Sequence, residues 1–174
     1  MDKNPRDVRS AFYLAQTHEC LGNHKEAIEG YKYRATLPGW DEENYMTYYR
    51  LGKMYEIVGD WNSAEAAYLK GYSLRPTRIE VLIKIIEHYW SIGNQITAFM
   101  FAHQAARQPV TNDVLFVEQN MYDYSRWNLL GMTAWYVGEF QLGYDAVLKA
   151  LEVSPNETHL HNNLKLYKER LKIA

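Results

Sequence analysis

The sequence predicts an all-α protein, a solenoid of stacked helical hairpins, on two observations. First, one pattern of small and large apolar residues recurs four times along 174 residues. Its clearest copy places Tyr48, Leu51, Gly52 and Tyr55 before Gly59, and Ala64, Tyr68 and Pro76 after it. Second, each copy has one glycine at its middle, where a helix must stop and turn. These are Gly22, Gly59, Gly93 and Gly138, spaced 37, 34 and 45 residues apart. In the clearest copy Gly52 and Ala64 are small enough for two helices to approach closely, and the tyrosines fill the space around that contact. The other copies read Ala11, Leu14, Ala15, His18, Ala27, Tyr31 and Arg34; Leu82, Ile85, Ile86, Tyr89, Ala98, Ala102 and Ala105; and Trp127, Leu130, Gly131, Ala134, Gly143, Val147, Ala150 and Pro155.

This pattern resembles the tetratricopeptide (TPR) signature, whose unit is a helix–turn–helix of about 34 residues. The resemblance implies one domain over residues 1–174, with repeats at about 5–37, 42–75, 77–108 and 124–155. Residues 109–123 form an insertion, and residues 156–172 a capping helix. Start and stop signals place the helices. Asn4 caps the first helix with Pro5 in its first turn, and Gly22-Asn23 ends it. The second helix runs from His24 to about Thr36 and stops before Pro38-Gly39. Asp41 caps the third helix, with Glu42 and Glu43 in its first turn complementing the helix dipole, and Asp60 caps the fourth. Thr77 and Glu80 have capping-box spacing, as do Ser154 and Glu157 ahead of the last helix. Arg78, a cation in a first turn, is expected to pair with a nearby carboxylate. The insertion contains the apolar run Val114-Leu115-Phe116-Val117. It is expected to fold back and bury Leu115 and Phe116, since long loops in compact domains are more often functional than filler.

Bulk properties narrow the function. A net charge of −2 with no block of Lys or Arg excludes an electrostatic nucleic-acid footprint. No apolar run reaches the roughly 18–20 residues of a membrane span. The N-terminal residues have no signal-peptide core. The lone Cys20 rules out an internal disulfide framework and is read as a helix-packing residue. A cytoplasmic chain is the expectation. Asn156-Glu157-Thr158 fits a glycosylation sequon, but capping explains the same residues.

No catalytic constellation emerges. The six histidines are scattered, and His159 and His161 at i,i+2 point apart on a helix. There is no Cys/His ligand set and no phosphate-cradling glycine loop. The chain is read as no enzyme, with no cofactor and no metal.

The binding surface is expected on the inner stripe of the first helix of each repeat. Template positions give Arg9, Phe12, Gln16 and Glu19; Met46, Tyr49, Lys53 and Glu56; Glu80, Ile83, Glu87 and Trp90; and Ser125, Asn128, Met132 and Trp135. Arg50 and Lys84 reach the same face. The candidate partner-binding set is Arg9, Phe12, Gln16, Tyr49, Arg50, Lys53, Lys84, Glu87, Trp90, Asn128, Met132 and Trp135. Aromatic, Met and Arg side chains of this kind are enriched in binding hot spots. Core packing is the competing reading for each aromatic residue. TPR proteins that grip acidic chaperone tails use a cluster of Lys, Asn and Arg at set groove positions, which here hold Phe12, Gln16, Arg50, Glu80 and Lys84. Only Lys84 keeps the expected charge type and Glu80 reverses it, so that role is disfavoured.

Particular words carry a second resemblance. They are Phe12-Tyr13-Leu14-Ala15-Gln16, Gly39-Trp40-Asp41-Glu42-Glu43, Arg75-Pro76 with Arg78 and Glu80, and Leu115-Phe116-Val117-Glu118 with Tyr122. Together they resemble the TPR-like segment that follows a family-2 glycosyltransferase domain. The resemblance implies an accessory role, because the transferase half and its Asp-x-Asp motif do not occur here. Three readings stay open. The chain is a scaffold binding a protein or peptide partner and associated with a glycosyltransferase, or it is an accessory domain binding a glycan acceptor. The third is self-association into a homo-oligomer.

Overall fold

A computed structural model describes residues 7–173. The expected Asn4 cap and Pro5 lie outside them. Among the described residues the secondary structure is entirely helical. The helices are α1 (Val8–Cys20), α2 (His24–Ala35), α3 (Asp41–Ile57), α4 (Trp61–Leu74), α5 (Glu80–Ser91) and α6 (Gln95–Arg107). After the insertion come a π-turn (Met121–Ser125), α7 (Arg126–Thr133), a 3-10 turn (Ala134–Val137), α8 (Phe140–Val153) and α9 (Thr158–Leu171). The chain divides into two compact units. The first runs to Pro76 and takes in Asn112–Phe116; the second holds Thr77–Thr111 and the chain from Val117 onward.

The hairpins pair as the repeat requires: α1 with α2, α3 with α4, α5 with α6 and α7 with α8. All four turn glycines adopt φ between +75° and +79°, a conformation that costs an L-side chain energy. Close approach explains Gly52. A Cβ there would stand 2.3 Å from the Tyr68 ring, so the tyrosine packs directly on helix backbone. Asp60 accepts from the Ser63 amide at 3.1 Å and caps α4. The Ser63 hydroxyl and amide hold the Asp60 carboxyl below its ordinary range.

Several local expectations are corrected. Asp41 lies inside α3, and the residue before it, Trp40, is the N-cap with no side-chain bond. Glu80 is the first residue of α5, after Ile79 as N-cap, so it does not close a capping box with Thr77. The last helix starts at Thr158 after Glu157, without a side-chain cap. Cys20, the last residue of α1, is exposed instead of packed.

Two buried ion pairs organise the units. In the first, Arg34 Nε donates to Glu43 Oε1 at 2.9 Å, joining the end of α2 to the start of α3. In the second, Arg78 and Glu80 are both fully buried, with Arg78 Nε at 3.0–3.1 Å from both carboxylate oxygens. Tyr122 of the π-turn donates to Glu80 Oε2 at 3.1 Å and accepts from the Ile79 amide at 3.2 Å. The Glu118 amide reaches Glu80 Oε1 at 3.4 Å. This node explains why Glu80 cannot act as a cap: its oxygens are already engaged. Burial, then the charge of Glu80, raises the Tyr122 hydroxyl above its usual range. Truncating one partner of such a pair leaves a buried charge uncompensated. Arg78→Ala is expected to lower stability by roughly 3–5 kcal/mol, read as a fall in the urea midpoint. Replacing Arg78 and Glu80 together with Met and Leu should cost clearly less.

Candidate functional site

The expected inner stripe meets two fates in the first unit. Phe12 and Tyr49 are 1% and 2% exposed, so these two candidates are core residues and not contact residues. Phe12 packs edge-on against Tyr31, and Tyr49 stacks along α3 on Tyr45 and packs against Tyr68 of α4. Template position alone does not tell an aromatic that points outward from one drawn between two helices. The polar positions of the stripe stay nearer the surface. Arg9 is exposed, Gln16 is half-buried, and the Lys53 ammonium lies 5.6 Å over the Tyr49 ring.

Glu19 and Glu56 have a shared structural task. Tyr31 donates to Glu19 at 2.5 Å and Tyr68 donates to Glu56 at 2.6 Å, so each hairpin of this unit has the same tyrosine–glutamate clasp. Glu19 also pairs with Arg50 at 2.9 Å, which ties α1 to α3. Arg50 is therefore already neutralised. Its guanidinium lies 6.0 Å over the Phe12 ring and 5.3 Å over the Phe116 ring.

In the second unit Lys84 and Glu87 pair with each other at 2.7 Å along the wetter side of α5. The remaining candidates converge. Trp90 at the end of α5, Met132 on α7 and Trp135 in the 3-10 turn line one groove of about 310 Å³. Tyr136, His159, Asn163, Leu166 and Tyr167 complete its wall. Trp90 meets Tyr136 edge-on at 5.5 Å, and Trp135 meets Tyr167 edge-on at 5.3 Å. Tyr136 is 56% exposed and Leu166 48% exposed, so the groove presents apolar surface to solvent. At its edge His159 Nε2 lies 3.2 Å from Asn128 Oδ1 and 3.3 Å from the Tyr124 hydroxyl, and Nδ1 lies 3.4 Å from Glu157. Asn128 thus supports the wall from behind.

The floor of the groove is close-packed. Tyr167 is 1% exposed and donates to the Gly131 carbonyl at 2.7 Å. A Cβ on Gly143 would stand 2.0 Å from the Tyr167 hydroxyl, so only glycine leaves room for that bond. Val147, Ala150 and Leu160 form the core beneath, with Phe140 and Leu164 packed on it.

This arrangement provides shape and aromatic faces, with His159 and Asn163 as polar groups in its wall. Among the described residues no three His, Cys, Asp or Glu side chains meet as a metal site. Among the same residues no helix is long and apolar enough to cross a membrane.

Residues 47–78 match the profile of the tetratricopeptide repeat. The solved structures extend the likeness over nearly the whole chain. The crystal structure of MamA protein is similar at 19% identity with a TM-score of 0.67, covering 95% of this chain and 83% of that one. The fold is the TPR-type helical solenoid. MamA 41-end from Desulfovibrio magneticus RS-1 is similar at 19% identity and a TM-score of 0.66, covering 95% and 86% of the two chains. A chain of the APC/C hetero-tetramer Cut9-Hcn1 aligns at 18% identity with a TM-score of 0.59, over 98% of this chain but 31% of its own. A search of curated protein sequences found no match.

Tyr136, His159, Asn163 and Leu166 were not among the sequence candidates. Three of them sit on α9, whose exposed face reads as the polar face of a cap. Leu166 is the one apolar residue on that helix outside the packing series Leu160, Leu164, Tyr167 and Leu171, and that was the available signal.

Burial pushes the Tyr167 hydroxyl up to about 12 from an ordinary value of 10.0. A group whose folded value is raised adds stability that is complete below its unfolded value and is lost as pH rises toward the folded one. Stability should therefore fall by about 1.4 kcal/mol per pH unit for this group between pH 10 and 12. Tyr167→Phe is expected to be about 1 kcal/mol less stable at pH 7, from the lost hydrogen bond. It should also show a shallower alkaline slope in denaturant melts from pH 9 to 12.

Proposed function

We propose that the chain is a non-catalytic interaction module that holds an extended segment of a protein partner in the groove of the second unit. The groove itself is the supporting observation. It brings Trp90, Met132, Trp135 and Tyr136 onto one open surface, and these are the residue types that dominate binding energy in protein interfaces. Its size suits a few side chains in a row, which is how peptides are read from a helical surface. The aromatic anchors rest on a close-packed floor, so little conformational entropy is lost on binding. The similar chain from a hetero-tetramer also points toward assembly with other proteins. The free, exposed Cys20 suits a reducing compartment.

A glycan acceptor is the second reading, in the setting of a glycosyltransferase. Half-exposed aromatic faces beside His159 and Asn163 favour it, since a sugar ring needs an apolar platform and polar groups at its rim.

Display of a random peptide library on the purified chain separates these readings. A peptide consensus with apolar anchors is expected, and Trp90→Ala and Tyr136→Ala should each weaken binding of the selected peptide at least tenfold with the melting temperature held. Glycan-array binding lost in the same variants, with no peptide consensus, would replace the first reading by the second.

A further inference from the structure

The insertion does not fill the first unit with apolar bulk, as the run Val114–Val117 suggests. Val114 is 79% exposed, Phe116 is 43% exposed and Leu115 is half-buried. Polar contacts hold the segment Asn112–Phe116 in the first unit. Asp113 receives both Nε and Nη2 of Arg75 in a two-pronged ion pair. One oxygen of Glu42 accepts from two successive backbone amides, Val114 at 2.9 Å and Leu115 at 2.8 Å. The Phe116 ring lies under the Arg50 guanidinium at 5.3 Å.

This is how a protein grips a foreign peptide. An arginine fork takes a carboxylate, a carboxylate takes consecutive free amides, and a cation covers an aromatic ring. All three gripping residues belong to α3 or to the end of α4. Phe116 is also held at φ +49°. A phenylalanine takes that left-handed conformation only at an energetic cost that the surrounding contacts offset. A segment that must strain to reach its site, with its two flanking side chains half to mostly exposed, is poised for replacement.

We infer that Glu42, Arg50 and Arg75 form a peptide-binding site, and that the chain's own Asp113–Phe116 segment occupies it as an internal strap. The partner is a protein segment with an acidic residue followed three positions later by an aromatic one, in a turn that directs its two intervening amides to the same side. The strap is tethered at both ends and competes at high effective concentration. The site is therefore closed to such partners until the strap is released. It is a second surface, independent of the groove around Trp90.

The test uses a fluorescently labelled peptide spanning residues 111–118, followed by anisotropy. The intact chain should bind it weakly or not at all. A full-length variant with Asp113→Ala and Phe116→Ala should bind at least tenfold more tightly, because both strap anchors are gone while the left-handed position still costs energy. Adding Arg75→Ala to that variant, or replacing the acidic or aromatic residue of the peptide, should abolish the gain. Equal binding by the intact chain and the strap variant would overturn the strap. No binding by a folded strap variant would overturn the site. Should that variant not fold, amide hydrogen exchange on the intact chain decides. Excess peptide must then speed exchange at Val114 and Leu115 at least threefold, and unchanged protection there rejects the inference. Tyr136→Ala should leave every one of these readings unaltered, which keeps this result separate from that of the groove.

Discussion

A guanidinium with no access to water must be matched, and in the second unit that constraint reaches far. Arg78 is fully buried, and Glu80 two residues on supplies both carboxylate oxygens. Taking two charges from water is costly, and the pair repays this only if the remaining hydrogen-bonding sites are also filled. Tyr122 and the Glu118 amide fill them. The chain returning from the insertion is thus pinned to the start of α5 by polar contacts. The widened helical turn that holds Tyr122 runs directly into α7, which sets where Met132 and, one turn later, Trp135 emerge. A π-turn shifts every following side chain around the helix axis. The groove therefore depends on an ion pair that never touches it.

The fold was legible because its signals are local and repeated. A turn glycine at φ near +75° has few substitutes, and Gly52 must be small because the Tyr68 ring lies on its backbone. Such constraints leave fixed spacings in the sequence. Which side chains of the expected stripe reach the surface was only half legible. Position along a helix predicted Trp90, Met132 and Trp135, which do meet in one groove. It failed for Phe12 and Tyr49, because a template assigns a face and does not weigh how much space the neighbouring helix leaves for a ring. Partners from distant sequence were invisible: His159 beside Asn128, and Tyr31 on Glu19, are set by packing between helices and not by any local pattern.

Charge pairing also decides which positions remain free for a ligand. In the first unit the tyrosine–glutamate clasps and the Glu19–Arg50 pair consume the polar groups that a template would assign to a partner. In the second, Lys84 and Glu87 satisfy each other. A surface with its charges internally paired offers little net field, so under the proposed function recognition would rest on aromatic faces and shape. That agrees with a chain whose net charge is only −2. It also accounts for the mismatch with basic tail-gripping sites, since Glu80 is sealed away with Arg78 and cannot repel or attract anything outside.

The corrected insertion shows the same logic from the opposite side. Hydrophobicity suggested that Leu115 and Phe116 would sink into a core, yet the segment is anchored by Arg75, Glu42 and Arg50. Anchors of this kind are strong only where water is partly excluded, and Asp113 meets that condition at 5% side-chain exposure. Burial of apolar area, by contrast, would have hidden Phe116 and relaxed its backbone. Directional contacts can hold a ring half in solvent at a strained φ; a nondirectional apolar force would not. The exposed ring and the strained backbone thus follow from what anchors the segment, which is the property that makes it exchangeable for another chain of like chemistry.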